Sequence, residues 1–399
     1  MIFTLEALEA AHGDALLLHY GPPDTAKLVV IDGGPSPIYT TSVRPRLEEI
    51  RGRRAPDATL TIDYVLVSHI DDDHIHGITA LTKELVEAAD SPGAPPYKIT
   101  NLWHNAFDDV VGDDEVQAVA PAAVMAALEP AAGGVRLASS DPLALLRSEV
   151  PPEGMSFETA LVLASVGQGD QLRRDADRLS CIVNDDRKLW LAPVEADMGH
   201  GLKATIVGPL REQLEALQAE WDKAIKKKKD ASPEEHKAAL AAYVDKSVPN
   251  LSSIVVLAEL EGKTILLCGD ARGDFVLQGL KAAGALDESL HVDVLKVPHH
   301  GSIRDVEVDF FRTITADHYV ISANGKFDNP DQETLEMIAQ ARGEDEFTMH
   351  LTNHDGQGGL GARLDAFVAK HEAAGAKFRV VYRTETEPIR IDLGDPLGF

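Results

Sequence analysis

Five short apolar runs in this chain each stop at a polar loop carrying Asp, His or Asn. Residues 28–31 run into Asp32-Gly33-Gly34, 62–67 into Ser68-His69, and 264–268 into Gly269-Asp270. Residues 291–297 run into Pro298-His299-His300-Gly301, and 319–322 into Ala323-Asn324-Gly325. Apolar runs of this length, bounded by Gly or Pro, read as buried strands. Helical patterns at 78–89, 121–128, 332–341 and 361–373 lie among them, and the mixture predicts an α/β layered domain. In such sheets ligands gather at the carboxyl ends of the strands, so these loops are where chemistry is expected.

At 399 residues the chain suits one large α/β unit with insertions, or two or three smaller domains. Its apolar fraction of 44% is enough to fill a core and argues against disorder. The longest apolar stretch, 118–128, is interrupted by Pro121 and falls short of the roughly 20 residues a bilayer span needs. No Lys or Arg precedes Lys27, so the positive region of a secretory signal is not seen, and the expected compartment is the cytoplasm. Two cysteines, Cys181 and Cys268, exclude a disulfide framework and a Cys-rich zinc site. A net charge of −27 disfavours non-specific binding to nucleic acid or acidic membranes. It leaves room for a small anionic substrate, because a bound metal can invert the charge of a site.

The middle of the chain differs. Residues 210–245 are rich in Ala, Glu, Lys and Gln without a strand signal. They read as a helical insertion broken near Ser232-Pro233, with Ser232 as N-cap and Pro233 as the first helical residue. Lys226–Lys229 within it read as a solvated face or as a phosphate-binding tract.

The chemistry concentrates in Ser68-His69-Ile70-Asp71-Asp72-Asp73-His74-Ile75-His76-Gly77. Three consecutive carboxylates between histidines repel one another unless a cation neutralises them. A tight loop can turn His69 and Asp71 one way and Asp73 and His74 another, an arrangement suited to two metal ions. The plainer alternative is an acidic turn before a helix, with Asp side chains near its N-terminus. Asp270 and the pair His299-His300 also follow expected strands, and this joint occurrence favours a metal site.

The spacing His69-x-Asp71-x-Asp73-His74 resembles the His-x-His-x-Asp-His signature of the metallo-β-lactamase-fold superfamily. Residues 266–270 and 295–302, together with Gly13-Asp14-Ala15 and Ile31-Asp32-Gly33-Gly34, resemble other motifs of that superfamily. They are most similar to its branch containing the soluble domain of the competence DNA-uptake channel and phosphorylcholine esterases. The resemblance spans residues 1–330. It implies a four-layer αββα sandwich extending over 1–399, with the 210–245 insertion and a segment at 340–399 whose role no motif indicates. It also implies two divalent metal ions, zinc first and manganese second. His69 and Asp71 would hold one, Asp73, His74 and His300 the other, and Asp270 would bridge them. His299 would face the substrate or its leaving group, and Asp73 would serve catalysis through the metal.

Three positions depart from the resembled pattern. Asp71 stands where His is commoner, making the site richer in oxygen and more hospitable to Mn²⁺. Asn250-Leu251-Ser252-Ser253 stands where many members have a His, so Asn250 reads as a weak ligand, a substrate contact or a loop cap. Asn329, before Pro330, replaces another His and is a substrate-binding candidate. His104, in Trp103-His104-Asn105, reads as pocket wall or as a structural histidine. His76 reads as a supporting or helix-start residue, Asp32 as a residue that orients a ligand, and Gly167-Gln168-Gly169-Asp170 as a turn.

The expected function is metal-dependent hydrolysis by an activated water, on a phosphodiester or other phosphorylated substrate. A lactone or amide hydrolase of the same fold, and a non-catalytic metal-binding sensor or interaction module, are the alternatives.

Overall fold

The computed structural model describes residues 1–56, 58–105, 157–215 and 252–399. The helical pattern at 121–128, Lys226–Lys229, Asn250 and most of 210–245 lie outside the described residues.

Two mixed sheets form the body. The first contains β1 (Ile2–Ala7), β2 (Leu16–Gly21), β3 (Lys27–Ile31), β4 (Leu60–Val67), β5 (Tyr97–His104) and β6 (Ile182–Val183). The second contains β7 (Val194–Asp197), β8 (Lys203–Gly208), β9 (Val255–Leu260), β10 (Lys263–Leu267) and β11 (Leu290–Lys296). It continues through β12 (Ile314–Ile321), β13 (Thr348–Leu351) and β14 (Arg379–Tyr382). The last strand, β15 (Ile389–Asp392), returns to pair antiparallel with β1, giving the orders β15-β1-β2-β3-β4-β5-β6 and β14-β13-β12-β11-β10-β9-β8-β7. Residues 340–399, which carry no recognised motif, thus extend the second sheet and cap an edge of the first.

Alternation along the strands explains the layering. Leu16, Leu18 and Tyr20 meet Ile206, Val256, Ala258 and Ile265 in a core between the sheets. Leu17, on the opposite face of β2, packs instead with the outer layer of the first sheet. That layer comprises α1 (Arg44–Arg54), α2 (Asp72–Ala89) and α3 (Phe157–Leu179), which bury Leu47, Ile78, Leu81 and Leu172. The second sheet is covered by α4 (Gly273–Ala282), α5 (Val308–Thr313), α6 (Gln332–Arg342) and α7 (Leu360–Ala373). Their Leu280, Phe311, Ile338 and Phe367 pack on Leu295, Tyr319 and Met349. With both faces of each sheet covered, the central strands read as continuous apolar runs. Among the described residues no helix is long and apolar enough to cross a membrane.

Two local expectations change. The helix expected from 78 starts at Asp72, so Asp72 and Asp73 occupy its first turn, where carboxylates favour the helix dipole. Gly167–Asp170, expected as a turn, lies inside α3. Two glycines in a helix cost about 1 kcal/mol each, but burial of Leu172 and Ala176 against the first sheet and a 2.7 Å hydrogen bond from Gln168 Nε2 to Asp72 Oδ1 hold the helix there.

Register then positions the site. Leu267 pairs with Lys296 in parallel β10 and β11, and Lys296 with Val320 in β11 and β12. The loops after these three strands therefore leave from one edge. The end of β4 reaches the same edge, where the Ile254 amide donates to Ser68 O at 2.8 Å and joins the two sheets.

Candidate metal centre

Asp270, 2% exposed, sits where the loops meet. The Nε2 atoms of His74 and His300 lie 3.3 and 3.4 Å from its Oδ1. The Nε2 atoms of His299 and His69 lie 3.5 and 3.7 Å from its Oδ2. Asp73 approaches the first group, with Oδ2 3.6 Å from His300 Nε2. Asp71 approaches the second, with Oδ2 3.5 Å from His69 Nε2. The buried cluster of Asp14, His74, Asp270 and His300 could hold a metal ion.

Hydrogen bonding on the far side of each ring sets its tautomer. His74 Nδ1 donates to Asp32 Oδ2 at 2.9 Å, and His300 Nδ1 donates to the Ser322 carbonyl at 2.9 Å. Neutral rings so held present bare Nε2 lone pairs to the centre, and these two lie only 3.2 Å apart. Two lone pairs beside a carboxylate repel unless a proton or cation sits among them. Burial opposes charge on either ring, yet Asp270 and, respectively, Asp32 and Asp14 raise both histidines well above the ordinary range. Burial likewise opposes ionisation of Asp73 and Asp270, while His74 and His300 hold both carboxylates below theirs. Among the described residues, His69 Nε2, Asp71 Oδ1 and Asp270 Oδ1 are buried without a hydrogen-bond partner. Orphaned donors of mixed nitrogen and oxygen type, oriented from behind, are what a divalent cation requires.

Asp32 also accepts from the Ser68 amide at 2.8 Å and from Ser68 Oγ at 2.7 Å, so one carboxylate ties the end of β4 to the His74 ring. The loop between β1 and β2 closes the opposite side. A Cβ at Gly13 would stand 1.8 Å from Asp73 O, so only glycine allows this backbone approach. It brings in Asp14, whose Oδ2 pairs with Lys296 Nζ at 2.7 Å while Oδ1 lies 3.5 Å from His300 Nδ1. Both partners are 1% exposed. Burial resists both charges, but Lys296 lowers the Asp14 pKa, and Asp14 and Asp270 raise that of Lys296.

Neighbouring residues on a strand point to opposite faces, yet His299 and His300 both reach Asp270. They leave strand geometry in a turn with φ of 45° and 53°, followed by Gly301 at 81°. Left-handed non-glycine residues carry strain and persist where the surroundings impose them. Here the His299 amide donates to Gly269 O at 3.0 Å and the Ser302 amide to His299 O at 2.8 Å.

His104 lies behind this shell. It is 3% exposed, neither ring nitrogen has a hydrogen-bond partner among the described residues, and burial lowers its pKa to about 3. Its Nε2 faces Gly169 of α3. His76 Nδ1 contacts Asp72 at 3.2 Å, as a helix-start residue would. Asn329 closes its loop through its backbone, accepting from the Gly325 amide at 2.9 Å. In the same loop Lys326 Nζ donates to His12 Nε2 at 3.1 Å and lies over the exposed Phe327 ring, 4.9 Å from its centroid. Burial lowers the Lys326 pKa while Asp73 and Asp72 oppose that shift, so this cation lies within the field of the acidic site.

The sequence motifs assign no role to Asp14, Lys296, Lys326 or Asp305, whose Oδ2 lies 2.5 Å from His299 Nδ1. A single Lys inside the apolar run 291–297 was a readable signal, since a buried Lys needs a carboxylate partner. Asp305 and Lys326 carried no comparable signal. No known family model matches the chain, and no curated protein matches it in sequence.

Proposed function

We propose that the chain is a metallo-β-lactamase-fold hydrolase that holds two divalent ions and cleaves a phosphodiester or another phosphorylated substrate. The observation that carries this reading is the division of imidazole nitrogens between the two oxygens of Asp270. His74, His300 and Asp73 would hold one ion with Asp270 Oδ1; His69 and Asp71 would begin the other on Oδ2. The mixed nitrogen and oxygen donors suit Zn²⁺ or Mn²⁺. Ions bound there lower the pKa of water and polarise the scissile group.

The protein's own groups complete the site. Asp32 and Ser322 fix the His74 and His300 rings by accepting their Nδ1 protons. Lys296 offsets part of the negative charge from behind through Asp14. Lys326 offers a positive charge within the field of Asp73 and Asp72, which supports an anionic substrate in a chain of net charge −27.

Turnover of bis-p-nitrophenyl phosphate by Zn²⁺- or Mn²⁺-loaded protein, run beside a lactone panel, tests the reading. Metal-stimulated phosphodiester cleavage is the expected result. Turnover confined to lactones would move the substrate class, and no turnover with either metal would favour a non-catalytic metal-binding module.

A further inference from the structure

We infer that His299 is a ligand of the second ion, completing a His69–Asp71–His299–Asp270 set. The inference rests on the two-ion reading above and revises the expectation that His299 faces the substrate.

Donor counting leads to it. Among the described residues, Asp73, His74 and His300 stand on the Oδ1 side of Asp270 with Asp14 beside them, at least four donors with the bridge. Among the described residues, and before His299 is counted, only His69 and Asp71 join the bridge on the Oδ2 side, fewer donors than the Oδ1 side holds. His299 Nε2 lies 3.5 Å from the same oxygen that His69 Nε2 approaches at 3.7 Å.

The ring is also mounted as a ligand is. His299 Nδ1 donates to Asp305 Oδ2 at 2.5 Å, as His74 Nδ1 donates to Asp32. A carboxylate behind a histidine fixes the tautomer with its lone pair on Nε2 and makes that nitrogen more basic toward a metal. Asp305 is itself held, its carbonyl accepting from the Gly273 amide at 2.7 Å. The left-handed turn through His299 and His300 aims two neighbouring rings at separate oxygens of one carboxylate. The competing arrangement is an imidazolium bridging Asp305 and Asp270, with the ring reserved for the substrate.

The full-length chain, its His299→Ala variant and its His299→Cys variant are titrated with Co²⁺, reading ions bound per chain and the absorption spectrum. Wild type is expected to bind two ions. His299→Ala should keep one at wild-type affinity and bind the other more than about 100-fold more weakly, beyond the loss typical of a supporting residue. His69→Ala should reproduce that pattern. His299→Cys should regain the second ion and show a thiolate-to-cobalt charge-transfer band, a signature that a packing role would not produce. Two ions at wild-type affinity in His299→Ala, or no such band in a folded His299→Cys protein holding two ions, would overturn the inference. If His299→Ala does not fold, Asp305→Asn decides: about 10–100-fold weaker binding of one ion is expected, and unchanged binding overturns it. Fewer than two ions in wild type would instead remove the two-ion reading itself.

Discussion

His74 and His300 face each other Nε2 to Nε2 at 3.2 Å, each having already given its Nδ1 proton to an acceptor behind it. With both rings neutral, the two Nε2 lone pairs oppose each other and Asp270. A cation removes both repulsions at once. The shell that supports this pair comes from the ends of β3, β4, β10, β11 and β12 and one glycine-enabled loop, so the cost of its orientation is met by the fold as a whole.

Asp270 is the shared element, and Asp270→Ala should therefore disturb both ions. Metal content after dialysis is expected to fall to below one ion per chain, and phosphodiester turnover to drop by more than about 100-fold, exceeding the usual effect of a supporting residue. Circular dichroism should remain native, because Asp270 belongs to a loop after β10 and not to the cores. Full metal content in the variant would contradict a bridging role.

Asp32→Asn tests orientation separately from ligation. The side chain keeps its size, but an amide in place of the carboxylate sets a donor against Ser68 Oγ or the His74 Nδ1 proton. Metal affinity is expected to fall about 10–100-fold, with loss concentrated on one ion. Isothermal titration with Zn²⁺ measures it directly. Equal affinity in wild type and variant would show that Ser68 alone suffices to hold the ring.

The layered α/β character was legible because apolar runs at 28–31, 62–67, 264–268 and 291–297 end at Asp32, Ser68, Gly269 and Pro298. The runs survive as β3, β4, β10 and β11 because both faces of each are buried. The histidines and aspartates of the site were legible for the same reason: they occupy the first positions after those strands. Three things were not. The start of α2 at Asp72 was ambiguous, because the carboxylates that read as metal donors also suit a helix N-terminus, the plainer of the two readings of that segment. The helical state of Gly167–Asp170 depends on Gln168 reaching Asp72, a contact 96 residues apart in sequence. The convergence of His299 and His300 depends on two left-handed residues, and strand periodicity predicts the reverse.

Lys326→Ala should weaken substrate binding more than it slows turnover. The ammonium lies in the field of Asp72 and Asp73, outside the ligand set. Loss of one attraction felt equally by bound substrate and transition state raises KM and leaves kcat nearly constant. A rise in KM of about tenfold, equivalent to about 1.4 kcal/mol, is expected for a phosphodiester anion and little change for an uncharged lactone. A fall in kcat at constant KM would place Lys326 in the chemistry instead.

Acid stability should depend on Glu6, far from the metal centre. Its side chain is fully buried, and it accepts from Arg46 Nη2 at 2.5 Å, Arg46 Nε at 2.9 Å and Arg390 Nε at 3.3 Å. His19 Nε2 lies 3.4 Å away, and Arg54 donates to His19 Nδ1 at 2.9 Å, so His19 is the neutral donor of that pair. Burial opposes ionisation, yet the His19 hydrogen bond and the Arg46 guanidinium lower the Glu6 pKa to about 2 from an ordinary 4.5. The unfolded chain then takes up a proton before the folded one does. Stability from this group is fully present above pH 4.5 and is lost as the pH falls toward 2. Glu6→Gln removes the titration and leaves the buried Arg46 guanidinium with Glu49 as its remaining carboxylate partner, a loss at neutral pH that stays below the about 3–5 kcal/mol of a fully broken buried pair. Thermal midpoints of metal-free protein from pH 6 to pH 2.5 check both statements. The variant should melt lower than wild type at pH 6, and the gap should narrow as the pH falls. Parallel curves across that range would mean that Glu6 is not the group whose protonation weakens the fold.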